Sequence, residues 1–284
     1  MPMKNVCDLH THSCFSDGTC TPAEIIDLSV RKGLSAVALT DHNTVAGLPD
    51  FLSAAAGKDI SAIAGTEIST GYGEKELHIV GLFLKPSDFD AVTQFLEISN
   101  VRKEESNRKL VRALTEAGYP LSYEAICRTH PEGTVNRAVI AAALLEKGYV
   151  SSVEDAFQRL LHRRSGLYVP PERISAFEAI AFLASIHAVP VLAHPFLNLS
   201  EGELREFLPE AKKHGLAAME TVYSSYSMET GLLAAKIAAE HGLLQSGGSD
   251  FHGGTKPDIS LGSGRGSLLV PAAFAKQLQE GNQG

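Results

Sequence analysis

Several features that would put a protein in a special class are missing from this chain. No apolar run approaches the ~20 residues needed to cross a bilayer, and no secretory apolar stretch follows the first residues. The four cysteines contain no CxxC pair, which argues against a disulfide framework and against a thiolate zinc site. We therefore expect a cytoplasmic protein that has no membrane segment and carries reduced, mostly buried thiols.

Basic residues are also in short supply. The chain has 25 Lys and Arg against 33 Asp and Glu, a net charge of −8. This balance argues against a large basic surface for duplex nucleic acid, whereas a small anionic substrate is still compatible because bound metals invert the local field. A serine or cysteine hydrolase is disfavoured because no GxSxG elbow is present.

What remains is an ordinary globular composition, with 44% hydrophobic and 20% charged residues. A chain of 284 residues is long enough for one barrel-sized domain or for a core with an inserted lobe. Neither an internal repeat nor a low-complexity segment is visible. The composition alone therefore predicts a packed core and leaves the fold class open.

Short apolar runs of strand length alternate with helical stretches over the first ~85 residues and again near the C-terminus. The alternation predicts an α/β fold, a distorted (β/α)7 barrel of the TIM-like kind, with a doubly wound open sheet as the alternative. The predicted strands lie at about 6–9, 36–40, 60–64, 78–84, 189–193, 217–220 and 243–247, and the helices between them at about 22–31, 47–56, 175–186 and 228–241.

Two local features support this division. Thr21 offers an N-cap, with Pro22 at the first helical position and Glu24 three residues beyond the cap, and Gly33 ends the predicted helix. Between residues 88 and 165 helical periodicity dominates without a convincing strand. We therefore predict that residues 1–87 and 166–284 form the barrel and that residues 88–165 form an inserted helical lobe over its active site.

Polar clusters follow several of the predicted strands. Because the carboxyl ends of all strands of a parallel barrel open on one face, these clusters are expected to converge there. They are Asp8-Leu9-His10-Thr11-His12, Thr40-Asp41-His42, Gly65-Thr66-Glu67, Ala193-His194-Pro195 and Ser249-Asp250-Phe251-His252, with Asp17 in the first loop.

The chemistry that these residue types favour is metal binding. His10 and His12 are two apart, so in an extended segment both rings point to one side and can hold one ion. A mixed imidazole and carboxylate shell suits manganese, zinc or iron better than calcium, and Glu67 could bridge two ions ~3.5–4 Å apart. The remaining histidines are predicted to be surface or core groups: His130, His162, His187, His214 and His241.

The run DLHTH, SDG, TDH, GTE, a histidine at 78, AHP and SDFH resembles the PHP (polymerase and histidinol phosphatase) family of metal-dependent phosphoesterases. The resemblance covers nearly the whole chain in consistent order, and the chain is most similar to the free-standing nucleoside-bisphosphate phosphatase branch. It implies a distorted seven-stranded barrel that binds two or three divalent metals (Mn²⁺, Zn²⁺ or Fe²⁺).

The resemblance also implies a set of ligands. His10, His12, Glu67 and Asp250 would hold one ion, Glu67, His78 and His194 a second, and Asp17, His42 and His252 a third. His78 is a ligand on this ground alone, because it precedes an apolar run instead of following one. Asp41 is expected to orient a ligand and not to bind metal itself.

Substrate contacts are expected from the helical lobe. The segment Asn136-Arg137-Ala138-Val139-Ile140 resembles the Arg-x-His stretch of that branch, with Arg137 as the phosphate-binding arginine and Val139 where the histidine usually stands. Arg163, Arg164 and Tyr168 resemble the basic and aromatic link back to the barrel and are further candidates for substrate contact. A solvated surface arginine is the alternative for Arg137.

The implied reaction is hydrolysis of a phosphomonoester by a metal-bound hydroxide, with a nucleotide or nucleoside 3′,5′-bisphosphate as the preferred substrate. Histidinol phosphate, a nucleotide monophosphate and the 5′ end of a short oligonucleotide are alternative substrates for the same metal cage. A non-catalytic, metal-stabilised module that serves a partner protein is the alternative of a different class.

Overall fold

The computed structural model describes residues 5–129 and 135–281. Within these ranges the chain forms eight strands, β1 Val6–Asp8, β2 Ala36–Leu39, β3 Ser61–Tyr72, β4 Lys75–Leu82, β5 Val189–Leu192, β6 Ala218–Tyr223, β7 Leu244–Gly248 and β8 Val270–Pro271. The helices are α1 Pro22–Lys32, α2 Leu48–Ala55, α3 Phe89–Glu116, α4 Tyr123–Thr129, α5 Arg137–Glu146, α6 Val153–Arg159, α7 Ala176–Ser185, α8 Glu201–Lys213, α9 Met228–Glu240 and α10 Ala272–Gly281.

The strands form one sheet in the order β7-β6-β5-β4-β3-β2-β1-β8 that nearly closes into a barrel. At the seam, Leu9 N donates to Gly247 O at 3.2 Å and Asp250 N donates to His10 O at 2.9 Å. Strands β1 to β3 run parallel, as do β5 to β7, whereas β4 is antiparallel to both of its neighbours and β8 is antiparallel to β1. The predicted distorted α/β barrel is therefore confirmed, with one short strand more than the seven expected.

The first helix begins and ends where the sequence predicts. The Thr21 side chain accepts from Glu24 N in a complete capping box, and Gly33 ends the helix at φ 71°. That left-handed conformation carries little cost for glycine, which has no Cβ.

Strand β3 is much longer than predicted, because its second half pairs with β4 in an antiparallel hairpin. The register joins Glu67 to Val80 and Ser69 to His78, and Gly73 turns the chain at φ 56°. The Gly65-Thr66-Glu67 segment thus lies inside a strand instead of following one. An antiparallel hairpin needs only a short turn, so no helix separates these two strands.

Side chains alternate between two apolar layers. The barrel interior is filled by small and branched residues, among them Ala38, Val80 and Val191, to which α10 adds Leu278. The opposite faces of the strands pack against the surrounding helices through a larger cluster that includes Phe51 and Phe207. Because α10 is tied to the start of β1 through Ala272 N and Asn5 O, it fills the end of the barrel opposite the strand termini that carry the histidines.

Helices α3 to α6 bring their own apolar cluster, which includes Leu110, Ile140, Leu144 and Tyr168. A separate core is what an inserted lobe requires, and the boundaries at residues 88 and 165 stay a prediction.

None of the helices in the described ranges is both long and apolar enough to cross a membrane. Cys7 is buried, whereas the other three cysteines are only partly buried, so the expectation of mostly buried thiols is wrong for them.

The seam of the barrel provides a test of the fold. A Cβ added at Gly248 would lie 2.5 Å from His10 N and would also collide with His10 Cβ. We expect Gly248→Ala to lower the free energy of unfolding by about 1–3 kcal/mol, because the backbone must shift. Urea unfolding would measure this change. Gly202→Ala is the matched control, since a Cβ there meets nothing within 4 Å, and equal stability of the two variants would contradict the close packing of the seam.

Candidate metal centre

Nine predicted ligands come together at one end of the barrel. Their ligand atoms fall into four groups in which all atoms lie within 4.8 Å of one another. The groups are His12, Asp17, His42 and His252; His10, Glu67 and His194; His10, His12 and Asp250; and His42, Glu67 and His78. Residues from position 10 to position 252 therefore converge on one cluster, as was predicted from the polar residues after the strands and, for His78, from the family resemblance.

The carboxylate of Glu67 is the centre of this arrangement. One oxygen, Oε1, lies 2.8 Å from His78 Nδ1 and 3.0 Å from His194 Nε2. The other, Oε2, lies 3.1 Å from His10 Nε2, 3.2 Å from His12 Nε2 and 3.0 Å from His42 Nδ1. A carboxylate with a separate set of imidazoles at each oxygen has the geometry of a bridging ligand.

Two aspartates complete the cluster on either side of Glu67. Asp250 Oδ1 lies 3.2 Å from His12 Nε2, and Asp17 Oδ1 lies 3.1 Å from His252 Nε2. The expected first and third ligand sets thus each have their carboxylate beside their histidines. The expected second set, Glu67, His78 and His194, is divided between two groups. Glu67 and His194 are grouped with His10, and Glu67 and His78 with His42. The assignment of ligands to individual ions therefore stays a prediction.

The donor atoms of this cluster fit divalent cations. Six buried side-chain atoms have no hydrogen-bond partner within the described ranges: His10 Nε2, His12 Nδ1, His12 Nε2, His42 Nδ1, Glu67 Oε2 and His194 Nδ1. Each such atom costs free energy unless something satisfies it. Cations coordinated by imidazole nitrogen and carboxylate oxygen would satisfy nearly all of them together, and these donors suit zinc, manganese or iron.

Electrostatics keep the carboxylates ionised. Burial alone would raise the pKa of Glu67, but the charges of His10, His42 and His78 overcome this and hold the pKa well below its usual range. The pKa of Asp250 is likewise held well below its ordinary value, because Lys256 and His252 outweigh the effect of burial. The cluster therefore presents anionic oxygen ligands across the neutral pH range.

The pKa values of the clustered histidines shift in two directions. Burial would lower the pKa of His78 and of His12, but neighbouring carboxylates raise the first to about 10 and the second to about 9. The pKa of His42 is instead well below its usual value, because burial dominates there. Because a histidine must be neutral to bind a metal ion, a cation at His12 or His78 would have to displace a proton.

Two of the ligand residues adopt unusual backbone conformations at the strand ends. His194 follows β5 at φ 28° and Asp250 follows β7 at φ 56°. Residues other than glycine rarely adopt positive φ, and each such residue costs about 1–3 kcal/mol unless its surroundings fix it. The strain lies at two residues of the cluster, and backbone strain is common at functional sites.

Asp41 acts on the ligand loop and not on a histidine ring. Its carboxylate accepts from Ser13 N at 2.7 Å, from Ser13 Oγ at 2.6 Å and from Ser16 Oγ at 2.6 Å. Within the described ranges its side chain makes no hydrogen bond to the ring of His42. The expectation that it orients an adjacent histidine is therefore corrected: Asp41 anchors the loop that carries Asp17.

Several residues that the sequence did not single out contact the cluster. Asp250 Oδ2 accepts from Tyr223 Oη at 2.8 Å and from Lys256 Nζ at 2.7 Å. The buried Glu220 contacts His10 and the backbone of His194. Both were detectable from the sequence, because Lys256 lies six positions after Asp250 in the same loop and Glu220 ends the strand predicted at 217–220.

A basic pocket lies between the metal cluster and the lobe. The Glu76 carboxylate holds Arg137 Nη2 at 2.9 Å and Arg173 Nη2 at 2.7 Å, and the Arg137 guanidinium stacks 4.6 Å above the Tyr168 ring. Lys103 contributes a further ammonium to this cavity of about 190 Å³. Asp17, His42 and His78 line the same cavity, so the pocket and the cluster are continuous.

The other predicted contacts lie farther out. Arg163 is exposed and pairs with Glu74, and Arg164 is exposed. Val139 packs into the lobe core, while Asn136, which caps α5, donates to Asp17 Oδ2 at 2.8 Å and was not predicted.

The metal clusters contain none of the other described histidines, which are His162, His187, His214 and His241, and His130 lies outside the described residues.

The sequence is similar to known proteins over most of its length. The model of the PHP domain matches residues 8–168, more than half of the sequence. A 5′-3′ exoribonuclease, Rnm, of Salmonella typhimurium is 32% identical over 93% of this chain and 90% of its own length. A 3′,5′-nucleoside bisphosphate phosphatase of Chromobacterium violaceum is 30% identical over 88% of each chain.

A solved structure extends the similarity to the fold. A protein from Bifidobacterium adolescentis, provisionally described as a metal-dependent phosphoesterase, superposes with a TM-score of 0.85 at 27% sequence identity. The superposition covers 98% of this chain and 96% of the other. The barrel and its helical lobe are therefore shared by both proteins over nearly their full lengths.

The central position of Glu67 predicts the effect of its loss. We expect Glu67→Gln to retain at least one divalent ion fewer per chain than the wild type, because an amide has only one oxygen to replace two ligand atoms. Elemental analysis after dialysis against manganese or zinc would measure the stoichiometry. His241→Ala, which changes a histidine outside the clusters, is the control, and an unchanged metal content in Glu67→Gln would refute the bridging role.

His12→Ala and Asp250→Ala test the cluster at its edge. Both are expected to abolish phosphate release while far-ultraviolet circular dichroism stays close to that of the wild type, because the removed groups face the pocket and not the apolar core. Wild-type turnover in either variant would reject the assignment of that residue.

Proposed function

The chain belongs to the PHP domain family and is a metal-dependent phosphoesterase, and from this premise we propose that its substrate is a small phosphorylated molecule with two phosphates. A nucleoside 3′,5′-bisphosphate, the substrate in the name of the Chromobacterium violaceum relative, is the preferred class. The observation that carries this proposal is the basic pocket that opens directly from the metal cluster.

The proposed division of labour follows from charge. The cluster would receive the phosphate that is cleaved, and the pocket around Arg137, Arg173 and Lys103 would receive the second anionic group. Three cationic side chains, Arg137, Arg173 and Lys103, line the pocket with two carboxylates, Glu76 and Asp17, so the pocket keeps a surplus of positive charge. Guanidinium groups suit phosphate because their planar N–H donors match two oxygens at once.

We propose that two or three divalent ions of manganese, zinc or iron are held by His10, His12, Asp17, His42, Glu67, His78, His194, Asp250 and His252. When bound there, such ions make water a better nucleophile near neutral pH and offset the charge of the phosphate. The anionic oxygens of Glu67 and Asp250 fit this role, because their pKa values lie well below the usual range.

The chain's own residues position the substrate. Lys256, which donates to Asp250, lines a second cavity beside the cluster together with Glu67 and His194 and adds a positive charge there. The aromatic ring of Tyr168 holds the Arg137 guanidinium in place by stacking, which limits the side-chain entropy lost when phosphate binds. We propose these contacts, together with Arg137, as the chief determinants of substrate orientation, and Arg163 and Arg164 as outer contacts.

A second candidate is hydrolysis at the 5′ end of a short RNA, which the 32% identity to a 5′-3′ exoribonuclease favours. The two substrates share their chemistry, because a 5′-phosphorylated RNA end and a nucleoside 3′,5′-bisphosphate both carry phosphates on either side of one ribose. They differ in the bond that breaks, which is a phosphodiester in RNA. The pocket described above would serve either substrate.

The deciding experiment is hydrolysis of a substrate panel with manganese added. The panel contains a nucleoside 3′,5′-bisphosphate, the matching 5′-monophosphate, histidinol phosphate and a short 5′-phosphorylated RNA, with products separated by chromatography. We expect the highest kcat/KM for the bisphosphate. Preference for RNA would replace the proposal with the second candidate, and metal binding without hydrolysis of any substrate would favour a non-catalytic module.

Arg137 is expected to contribute to binding of the second phosphate. Arg137→Ala should lower kcat/KM for the bisphosphate about 10–100-fold, the equivalent of one charged hydrogen-bonding group at about 1.5–3 kcal/mol. The decrease should be smaller for the monophosphate. Arg205→Ala, which removes another ion-paired arginine on α8, is the control, and unchanged kinetics in Arg137→Ala would return this residue to the role of a surface arginine.

A further inference from the structure

We propose that Glu220 is a positioning residue of the metal centre, where it fixes the tautomer of His10 and the backbone of His194. The inference rests on the proposed role of these two histidines as metal ligands. Glu220 does not face the pocket itself, and none of the four groups of ligand atoms contains it. It acts through two residues that do face the pocket.

Both oxygens of the Glu220 carboxylate are engaged. Oε1 lies 2.8 Å from His10 Nδ1, and Oε2 accepts a hydrogen bond of 2.6 Å from His194 N. The residue is 1% exposed, so neither contact competes with bulk water. A buried carboxylate is tolerated only where its oxygens are satisfied, and both partners here belong to proposed ligand residues.

The contact with His10 determines which ring nitrogen is available to a cation. Since the Glu220 carboxylate is an acceptor, it keeps the hydrogen on Nδ1 and leaves the lone pair on Nε2. That nitrogen lies 3.1 Å from Glu67 Oε2 and has no hydrogen-bond partner within the described ranges. Carboxylates commonly orient metal-bound histidines in this way.

The contact with His194 supports a strained backbone. His194 has φ 28°, which is unfavourable for a residue with a Cβ. Its amide N–H, which lies beyond the end of β5, is satisfied by Glu220 Oε2. One carboxylate therefore holds the ring of His10 and the backbone of His194 together, and the centroids of the two rings lie 5.6 Å apart.

An irregularity in strand β6 makes this arrangement possible. Side chains three apart on a regular strand point to opposite faces, yet Glu220 and Tyr223 both contact ligand residues. The pairing register with β7 shifts between Glu220 and Val222, which inserts one extra residue. Bulges of this kind redirect side chains and recur beside active sites.

The two contacts require a carboxylate in particular. His10 must donate from Nδ1 if its Nε2 is to bind a cation, and the amide of His194 can only donate. Glutamine has one acceptor oxygen, so in Glu220→Gln one of these donors meets the NH₂ group. If the glutamine oxygen accepts from His194 N, the glutamine NH₂ group donates to His10 Nδ1. The ring hydrogen of His10 is then on Nε2, where it blocks the metal.

The test is zinc affinity, measured by competition with a chromogenic chelator. We expect Glu220→Gln to weaken zinc binding about 10–100-fold, the usual effect of losing a partner of a metal-bound histidine. Glu220→Asp keeps two acceptor oxygens and should bind more tightly than Glu220→Gln, although glutamine is closer in size. A purely structural role predicts the opposite order, because packing depends on size, so that order would overturn the proposal.

Nitrogen-15 NMR of the zinc-loaded, histidine-labelled wild type provides a test without any variant. We expect a directly bonded hydrogen on His10 Nδ1, and its absence would overturn the proposal even if Glu220→Gln does not fold. Glu203→Gln, which alters an exposed carboxylate of a capping box, is the control and should keep wild-type affinity. If Glu220→Gln binds zinc as tightly as the wild type, the inference about Glu220 is wrong but the proposed metal centre is unaffected. If the wild type itself retains no zinc, the proposed metal centre is wrong as well.

Discussion

The structure depends on the burial of one carboxylate among imidazoles at the end of a nearly closed barrel. Glu67 is 0% exposed and has five histidine nitrogens within 3.2 Å of its two oxygens. A buried carboxylate is costly unless opposite charge lies beside it. The barrel meets this requirement because its parallel strands bring residues that are distant in sequence to one pocket, and strand β3 runs far enough to carry Glu67 into the centre.

A second layer of carboxylates holds the segments that carry the ligands. Asp41 anchors the loop after β1, Asp8 accepts from Ser249 N at 2.8 Å and from Gly262 N at 2.7 Å, and Glu220 joins His10 to His194. Each of these acidic groups faces away from the pocket and satisfies backbone or side-chain donors. The segments that carry the cluster are therefore held by hydrogen bonds to buried acidic side chains.

The α/β barrel and most of the cluster were predictable from the sequence, because polar groups after apolar strands are a local pattern with a simple geometric meaning. His78 was predicted only from the family resemblance, and Glu67 lies inside its strand instead of following it. The long β3–β4 hairpin was not predicted, and Glu67 therefore lies inside a strand where the sequence placed it after one. Arg173 was missed for a different reason. A single charged residue has no periodicity, and its partners are known only from tertiary contacts.

The hydrogen bond between Asn136 Nδ2 and Asp17 Oδ2 joins helix α5 of the lobe to the proposed third ion site. An ion that binds Asp17 Oδ2 would alter the strength of this hydrogen bond. Occupancy of that site and the position of helix α5 would then be linked by a coupling free energy. Such coupling is reciprocal: whatever favours one arrangement of the lobe changes the affinity for the ion by the same factor. If the third site is filled as proposed, the lobe would contribute to the thermodynamics of metal uptake.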